Sequence, residues 1–119
     1  MSESTEAFRS LNQIERQLLE RLLGVDFPGR DELREQVKHA VVREIDEHGC
    51  LEFHVDYDVL AEVQHTVPVE AEAQDSDGIG IELLLFVKRG KISDLELNKG
   101  DGSPIVDMPK PERWEVRAN

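Results

Sequence analysis

The sequence predicts an α+β domain in which two N-terminal helices pack on an antiparallel sheet of about four to six strands. The first half of this prediction comes from apolar residues at helical spacing in NQIERQLLERLL. The second half comes from a two-residue period that begins near residue 41. The chain has 119 residues, so we expect residues 10–116 to form a single domain and residues 1–9 to be a disordered terminus.

The stretch 79–97 predicts the hairpin at the centre of the sheet. Its apolar run, residues 81–87, is typical of a strand that is covered on both faces. Arg89-Gly90 predicts a two-residue turn, because glycine adopts the positive φ that such turns require. The expected partners across this turn are Val87 with Ile92, Leu84 with Leu95, and Phe86 with Ser93.

The predicted first helix begins after Asn12, where Glu15 completes a capping box, and it ends near Gly24. Ser10 with Gln13 is the alternative capping frame. Its core-facing stripe is expected to hold six apolar residues: Leu11, Ile14, Leu18, Leu19, Leu22 and Leu23. A second, shorter helix is predicted for residues 30–38, where acidic residues favour the start of the helix.

Besides the hairpin, alternating residues predict strands at 41–46, 50–58 and 66–73, and a short final strand at 105–108. Pro68 places the third of these at a sheet edge or a bulge, because proline cannot donate to the ladder. Residues 59–65 fit either a helical turn or an irregular connection. In the tail after Pro109, Trp114 is expected to dock on the core.

Composition favours a cytoplasmic protein. The single cysteine, Cys50, excludes an internal disulfide and indicates a reducing compartment. The first ten residues lack the basic start and apolar core of a secretory signal. No apolar run reaches the roughly 18 residues of a membrane span, so no membrane association is expected.

Negative charge is concentrated in one segment of the chain. The formal net charge is −12 and the pI is about 4.7, which argues against nucleic acid as a partner. Residues 44–87 contain twelve acidic residues and no lysine or arginine, whereas the rest of the chain sums to zero. Three of the four histidines also lie in this segment.

Folded as strands, this segment predicts an acidic sheet face that binds a basic protein partner. An immunity or antitoxin protein, which inhibits a basic partner, is the concrete form of this hypothesis. The predicted partner-binding residues are Glu52, His54, Asp56, Asp58, Glu70 and Glu72. The alternative is that the charge only keeps the protein soluble.

Two catalytic alternatives involve the predicted strand at residues 50–58. Glu52, His54 and Asp56 alternate on one strand and are residue types that bind divalent ions, as in a small metal-dependent hydrolase. Cys50 with its neighbouring histidines suggests a nucleophile, although nothing nearby in sequence would lower the thiol pKa. No catalytic motif is present, so we expect a non-enzyme without a cofactor or a metal. A self-associating structural domain is a third hypothesis, so the protein is expected to be a monomer or a homodimer.

Three fragments, NQIERQLLERLL, VDFPGRDELREQ and ELLLFVKRGKISDLEL, followed by a proline-rich close, resemble a group of small acidic bacterial proteins of unknown function. The resemblance covers residues 12–111 and implies two helices and an antiparallel sheet, with no assigned catalytic residues. In size and charge the chain is also similar to toxin-immunity proteins.

Overall fold

The computed structural model describes residues 7–119, which form two helices and one six-stranded antiparallel sheet. The elements are α1 (Gln13–Leu22), α2 (Arg30–Val37), β1 (Ala40–Glu44), β2 (Leu51–Val55), β3 (Val69–Gln74), β4 (Gly80–Lys88), β5 (Lys91–Lys99) and β6 (Glu115–Ala118). The strand order is β1-β2-β5-β4-β3-β6. The predicted α+β class is confirmed. Residues 1–6 of the predicted disordered terminus lie outside the described residues.

The start of α1 is fixed by the predicted capping box. The Asn12 side chain accepts a hydrogen bond from the Glu15 backbone N–H at 2.8 Å, and the Glu15 carboxylate accepts one from the Asn12 N–H at 2.9 Å. Arg9 adds two further bonds to the same carboxylate. Glu15 thereby occupies an inward position, and Ile14 is 56% exposed, so the predicted stripe is wrong at Ile14. No helix within residues 7–119 is long and apolar enough to cross a membrane.

Gln36 connects α2 to the central hairpin. Its side chain is fully buried. The side-chain amide donates to the carbonyls of Val59 and Gly90 at 3.1 and 2.7 Å, and its oxygen accepts from the Ile92 N–H at 3.0 Å. Both the buried nitrogen and the buried oxygen of the Gln36 side chain therefore have hydrogen-bond partners.

The hydrophobic core lies on one side of the sheet only. The inward residues of β4 are Ile81, Leu83, Leu85 and Val87, all at most 4% exposed. Leu84 and Phe86 point to the other side, are half-buried, and do not belong to the core cluster. The prediction of a strand covered on both faces is therefore wrong, because α1 and α2 contribute buried residues to the same core cluster.

The predicted turn at Arg89-Gly90 is confirmed, with φ of 54° and 81° at its two residues. Val87 pairs with Ile92, as expected. Beyond this pair the register shifts at a β-bulge, because Ser93 is an extra residue on β5. The other two predicted pairs are wrong: Phe86 lies opposite Asp94, and Leu84 lies opposite Glu96.

The predicted edge or bulged position of residues 66–73 is wrong, because β3 lies between β4 and β6 and pairs with both without a register shift. Pro68 precedes β3, and its carbonyl accepts a hydrogen bond from the Asn119 N–H at 2.9 Å. Trp114 is 1% exposed and holds the chain before β6, which confirms its predicted docking. The last strand is β6 and not residues 105–108.

Residues 105–108 are held by a buried carboxylate instead of a strand partner. Asp75 accepts hydrogen bonds from the N–H groups of Val106 and Asp107 at 2.7 and 2.9 Å. Lys99 donates to Asp75 and Asp77 at 2.8 and 2.6 Å. Burial acts to raise the pKa of Asp75, but the bond from Lys99 and those from backbone N–H groups outweigh it and hold this pKa far below its usual range.

Candidate functional site

The candidate site is the side of the sheet opposite to the helices, which we call the open face. Residues directly opposite each other on paired strands point to the same side. The pairing thus places three rows of side chains on this face, each running across several strands. The Glu52 row holds Arg43, Glu52, Asp94 and Phe86; the Glu70 row holds Glu96, Leu84, Glu70 and Arg117; the Glu72 row holds Asn98, Glu82, Glu72 and Glu115.

Four of the six predicted partner-binding residues lie on the open face, in two separate places. Glu52 and His54 are on β2, whereas Glu70 and Glu72 are on β3. Since β5 and β4 lie between these strands, the two pairs are about 14 Å apart. The other two predicted residues, Asp56 and Asp58, are exposed in the segment that follows β2, beyond the paired strand.

The β1 edge of the open face is covered by Phe8. The guanidinium of Arg43 lies 4.7 Å from the centre of the Phe8 ring, within cation–π range. The His54 ring lies 5.8 Å from Phe8, tilted by 51°. Arg43 also donates to Glu52 at 2.8 Å. Both predicted residues of β2 therefore already contact other parts of this chain.

The opposite edge carries a second arginine, which is shared by two of the predicted residues. Arg117 donates to Glu70 at 2.8 Å and lies 3.6 Å from Glu72. The hydrogen bond to Glu70 raises the pKa of Arg117, and the charges of Glu72 and Glu82 act in the same direction. Arg117 thus serves Glu70 and Glu72 together. With Glu82 and Glu115 nearby, the carboxylates at this end of the face outnumber Arg117 and Arg113.

The Glu72 row concentrates the negative charge. Glu72 lies directly opposite Glu82 on one side and Glu115 on the other. Such side chains are about 5 Å apart at their Cβ atoms, and like charges in this arrangement destabilise a sheet. The same three carboxylates line a shallow depression with Asn98 and Arg113.

Several acidic residues of the open face were not among the predicted partner-binding residues. They are Glu82, Asp94, Glu96 and Glu115. Glu82 interrupts an apolar run that was interpreted as fully buried. Alternation does place Asp94 and Glu96 together on one face of the returning strand, but it does not show that this face joins the one that carries Glu70 and Glu72. Glu115 belongs to β6, which the local pattern did not indicate. The alternation of side-chain direction along β4 would by itself have placed Glu82 on the side opposite to Ile81 and Leu83.

The structure does not bring together the residues that the sequence offered for catalysis or metal binding. Cys50 is 5% exposed, its sulfur contacts the backbone of Leu97, and burial raises the pKa of its thiol to about 11. It therefore lies in the core and not beside His54. Within residues 7–119, no three side chains of His, Cys, Asp or Glu are grouped to hold a metal ion.

The fold and this face together define a small α+β domain with one sheet face packed by helices and one face open and acidic. The chain belongs to the family described as a domain of unknown function, DUF6984, whose model matches residues 8–109. The matched region contains both helices and β1 to β5, and β6 lies beyond it. No curated protein and no solved structure matches the chain.

Proposed function

We propose that the protein is a non-catalytic binding domain whose open face engages a basic protein partner. The observation that supports this most directly is the Glu72 row, where three carboxylates on neighbouring strands lie directly opposite one another. A chain selected for stability alone would gain by replacing one of them, since opposed like charges cost free energy. Cations supplied by a partner would remove that cost on binding.

An immunity or antitoxin role is the concrete form of the proposal. In this role the acidic face would cover a basic surface of an enzyme and so inhibit it. An acidic face of this kind speeds association by long-range attraction, and it disfavours partners of the wrong charge. The position of the carboxylates favours such a role, because the rows named above form a continuous surface across β2 to β6.

The environment of Cys50 also favours binding over catalysis. A thiol with a pKa of about 11 is protonated at neutral pH and is a poor nucleophile. Its sulfur contacts the backbone of Leu97, and the Asp46 carboxylate beside it raises the thiol pKa further, so these neighbours do not activate it as a nucleophile.

The proposal is tested by affinity capture with three forms of the protein. The first is the wild type. The second replaces the Glu72 row with Glu72→Gln, Glu82→Gln and Glu115→Gln. The matched control makes the same chemical change at three exposed acidic residues that are not in the rows of the open face: Glu20→Gln, Glu62→Gln and Glu112→Gln. All three are incubated with lysate of the source cells at low salt, and the retained proteins are identified and purified.

We expect a basic protein to be retained by the wild type and the control and lost with the Glu72-row variant. The purified partner must then bind the wild type directly, with an affinity that falls as salt is raised. Retention of the same proteins by all three forms, or of none, would contradict the proposal.

A further inference from the structure

We infer that the open face receives a basic amphipathic helix of the partner, seated along β4 over Leu84 and Phe86. This inference rests on the proposed function and adds the shape and chemistry of the binding segment. Leu84 and Phe86 are apolar, half-buried and outside the core, although they sit on a central strand. They therefore offer apolar surface in the middle of an otherwise charged face.

The apolar surface on β4 is one strand wide. Leu84 lies between Glu96 of β5 and Glu70 of β3. Phe86 lies opposite Asp94 of β5. The neighbouring strands are only about 5 Å away, so carboxylates border the stripe beside Leu84. Beside Phe86, the Asp94 carboxylate lies 3.6 Å from the Lys88 ammonium. A narrow apolar centre with a polar rim is the usual arrangement of a protein–protein contact.

This width favours a helix as the occupant. A second sheet would need apolar residues on several neighbouring strands, because sheets pack face to face across a broad core. A helix contacts a sheet through one ridge, in which residues four apart are separated by about 6 Å along the axis. Leu84 and Phe86 are separated by about 7 Å along β4, so two successive ridge residues match them.

The charges select the partner. Lysine or arginine residues on both sides of the ridge would reach Glu96 and Glu70, which flank Leu84, and at Glu70 they would add to the bond from Arg117. The helices of a second copy of this chain do not qualify. The buried leucines of α1 and Leu33 of α2 already belong to the core cluster, and Ile14, which α1 exposes, is a single residue and not a ridge.

The test uses two synthetic peptides of about 14 residues, roughly four helical turns, made of leucine, lysine and arginine. The amphipathic peptide places its leucines along one ridge. Its isomer has the same composition and charge with the leucines scattered. Binding is measured by fluorescence anisotropy, and helix formation by circular dichroism. The proteins are the wild type, Leu84→Thr/Phe86→Thr, the Glu72-row variant, and Ile14→Thr as the control for an exposed apolar residue on α1.

We expect the wild type and the Ile14→Thr control to bind the amphipathic peptide about tenfold more tightly than its isomer, with a gain of helix on binding. The Leu84→Thr/Phe86→Thr variant should bind both peptides equally. If both peptides bind the wild type equally and the Glu72-row substitutions abolish this binding, the inference of a helical segment is overturned. The proposal of a basic partner then stands. No binding of either peptide at low salt would also overturn the helix, and the capture experiment would then judge the proposal independently.

Discussion

At the scale of single residues, the fold depends on two buried polar side chains whose buried nitrogen and oxygen atoms all have hydrogen-bond partners. Gln36 fixes α2 to the hairpin, and Asp75 fixes the turn after β3 to residues 106–107. Lys99 supplies the positive charge that Asp75 requires, and both side chains are at most 1% exposed. Breaking a buried pair from one side is costly, and loss of the Asp75 charge would leave only Asp77, whose side chain is 36% exposed, to balance Lys99.

Asp75→Asn is expected to lower the midpoint of thermal unfolding by roughly 10 °C or more, since it removes the charge that balances Lys99. The matched control is Asp107→Asn, at an exposed carboxylate nearby. Differential scanning calorimetry measures both. A variant that unfolds within a degree or two of the control would refute the structural role of the pair.

The same residue predicts a pH dependence. The folded-state pKa of Asp75 is lowered, so its stabilising effect is complete above the unfolded pKa of about 4 and is lost as the pH falls toward the folded value. The stability difference between the wild type and Asp75→Asn should be constant above about pH 5 and shrink below it. Urea titrations across this range measure the difference. A difference that grows on acidification would contradict the sign.

At the scale of elements, the hairpin turn contains a strained residue. Arg89 has a φ of 54°, a conformation that favours glycine or asparagine. A substitution at Gly90 would not relieve the strain at Arg89, because a Cβ at position 90 would lie 2.8 Å from Cβ of Leu60. Asparagine at position 89 is the residue that turns of this type prefer.

Arg89→Asn is therefore expected to raise the free energy of unfolding by about 1 kcal/mol. Arg89→Ala is the control, because it removes the same charge without relieving the backbone. Equilibrium denaturation in urea compares the three proteins. If alanine stabilises as much as asparagine, the effect belongs to the charge and the strain argument fails.

Sequence patterns predicted the elements that are defined locally and missed those that depend on distant pairing. The α1 capping box and the Arg89-Gly90 turn follow from residues a few positions apart, and both are present. The bulge at Ser93 inserts one residue and so places Ile92 on the same side as Leu95, which an unbroken alternation cannot show. β6 pairs with β3, more than forty residues earlier, and local periodicity contains no information on such a partner.

The same limit applies to the candidate site. Alternation correctly placed Glu70 and Glu72 on one side of their strand. It gave no strand order, so it did not show that Glu82 and Glu115 flank Glu72, or that Glu52 lies three strands away.

At the scale of the whole molecule, the two sides of the sheet have different physical roles. One side holds the apolar core with both helices, and the other holds the acidic rows. Concentrating carboxylates on one face favours binding of cations, and it lowers the stability of the unbound chain through repulsion. Stability and binding are therefore expected to oppose each other at the Glu72 row.

Glu82→Gln is expected to raise the free energy of unfolding by about 0.2–1 kcal/mol at low salt, because it removes one of three opposed charges. The gain should decrease at about 1 M salt, where repulsion is screened. Glu20→Gln on α1 controls for the general effect of removing a negative charge. Chemical denaturation at both salt concentrations is the measurement. An equal rise in the free energy of unfolding for Glu82→Gln and Glu20→Gln would show that repulsion within the Glu72 row does not destabilise the sheet.

The central claim, that the open face binds a basic protein, is tested most directly by the rate of association with the purified partner. Stopped-flow measurements at low and moderate salt compare the wild type with the Glu72-row variant and its matched control. We expect the row variant to associate about tenfold more slowly at low salt and to respond less to added salt, while the control behaves as the wild type. Equal rates and equal salt dependence for all three proteins would contradict the claim.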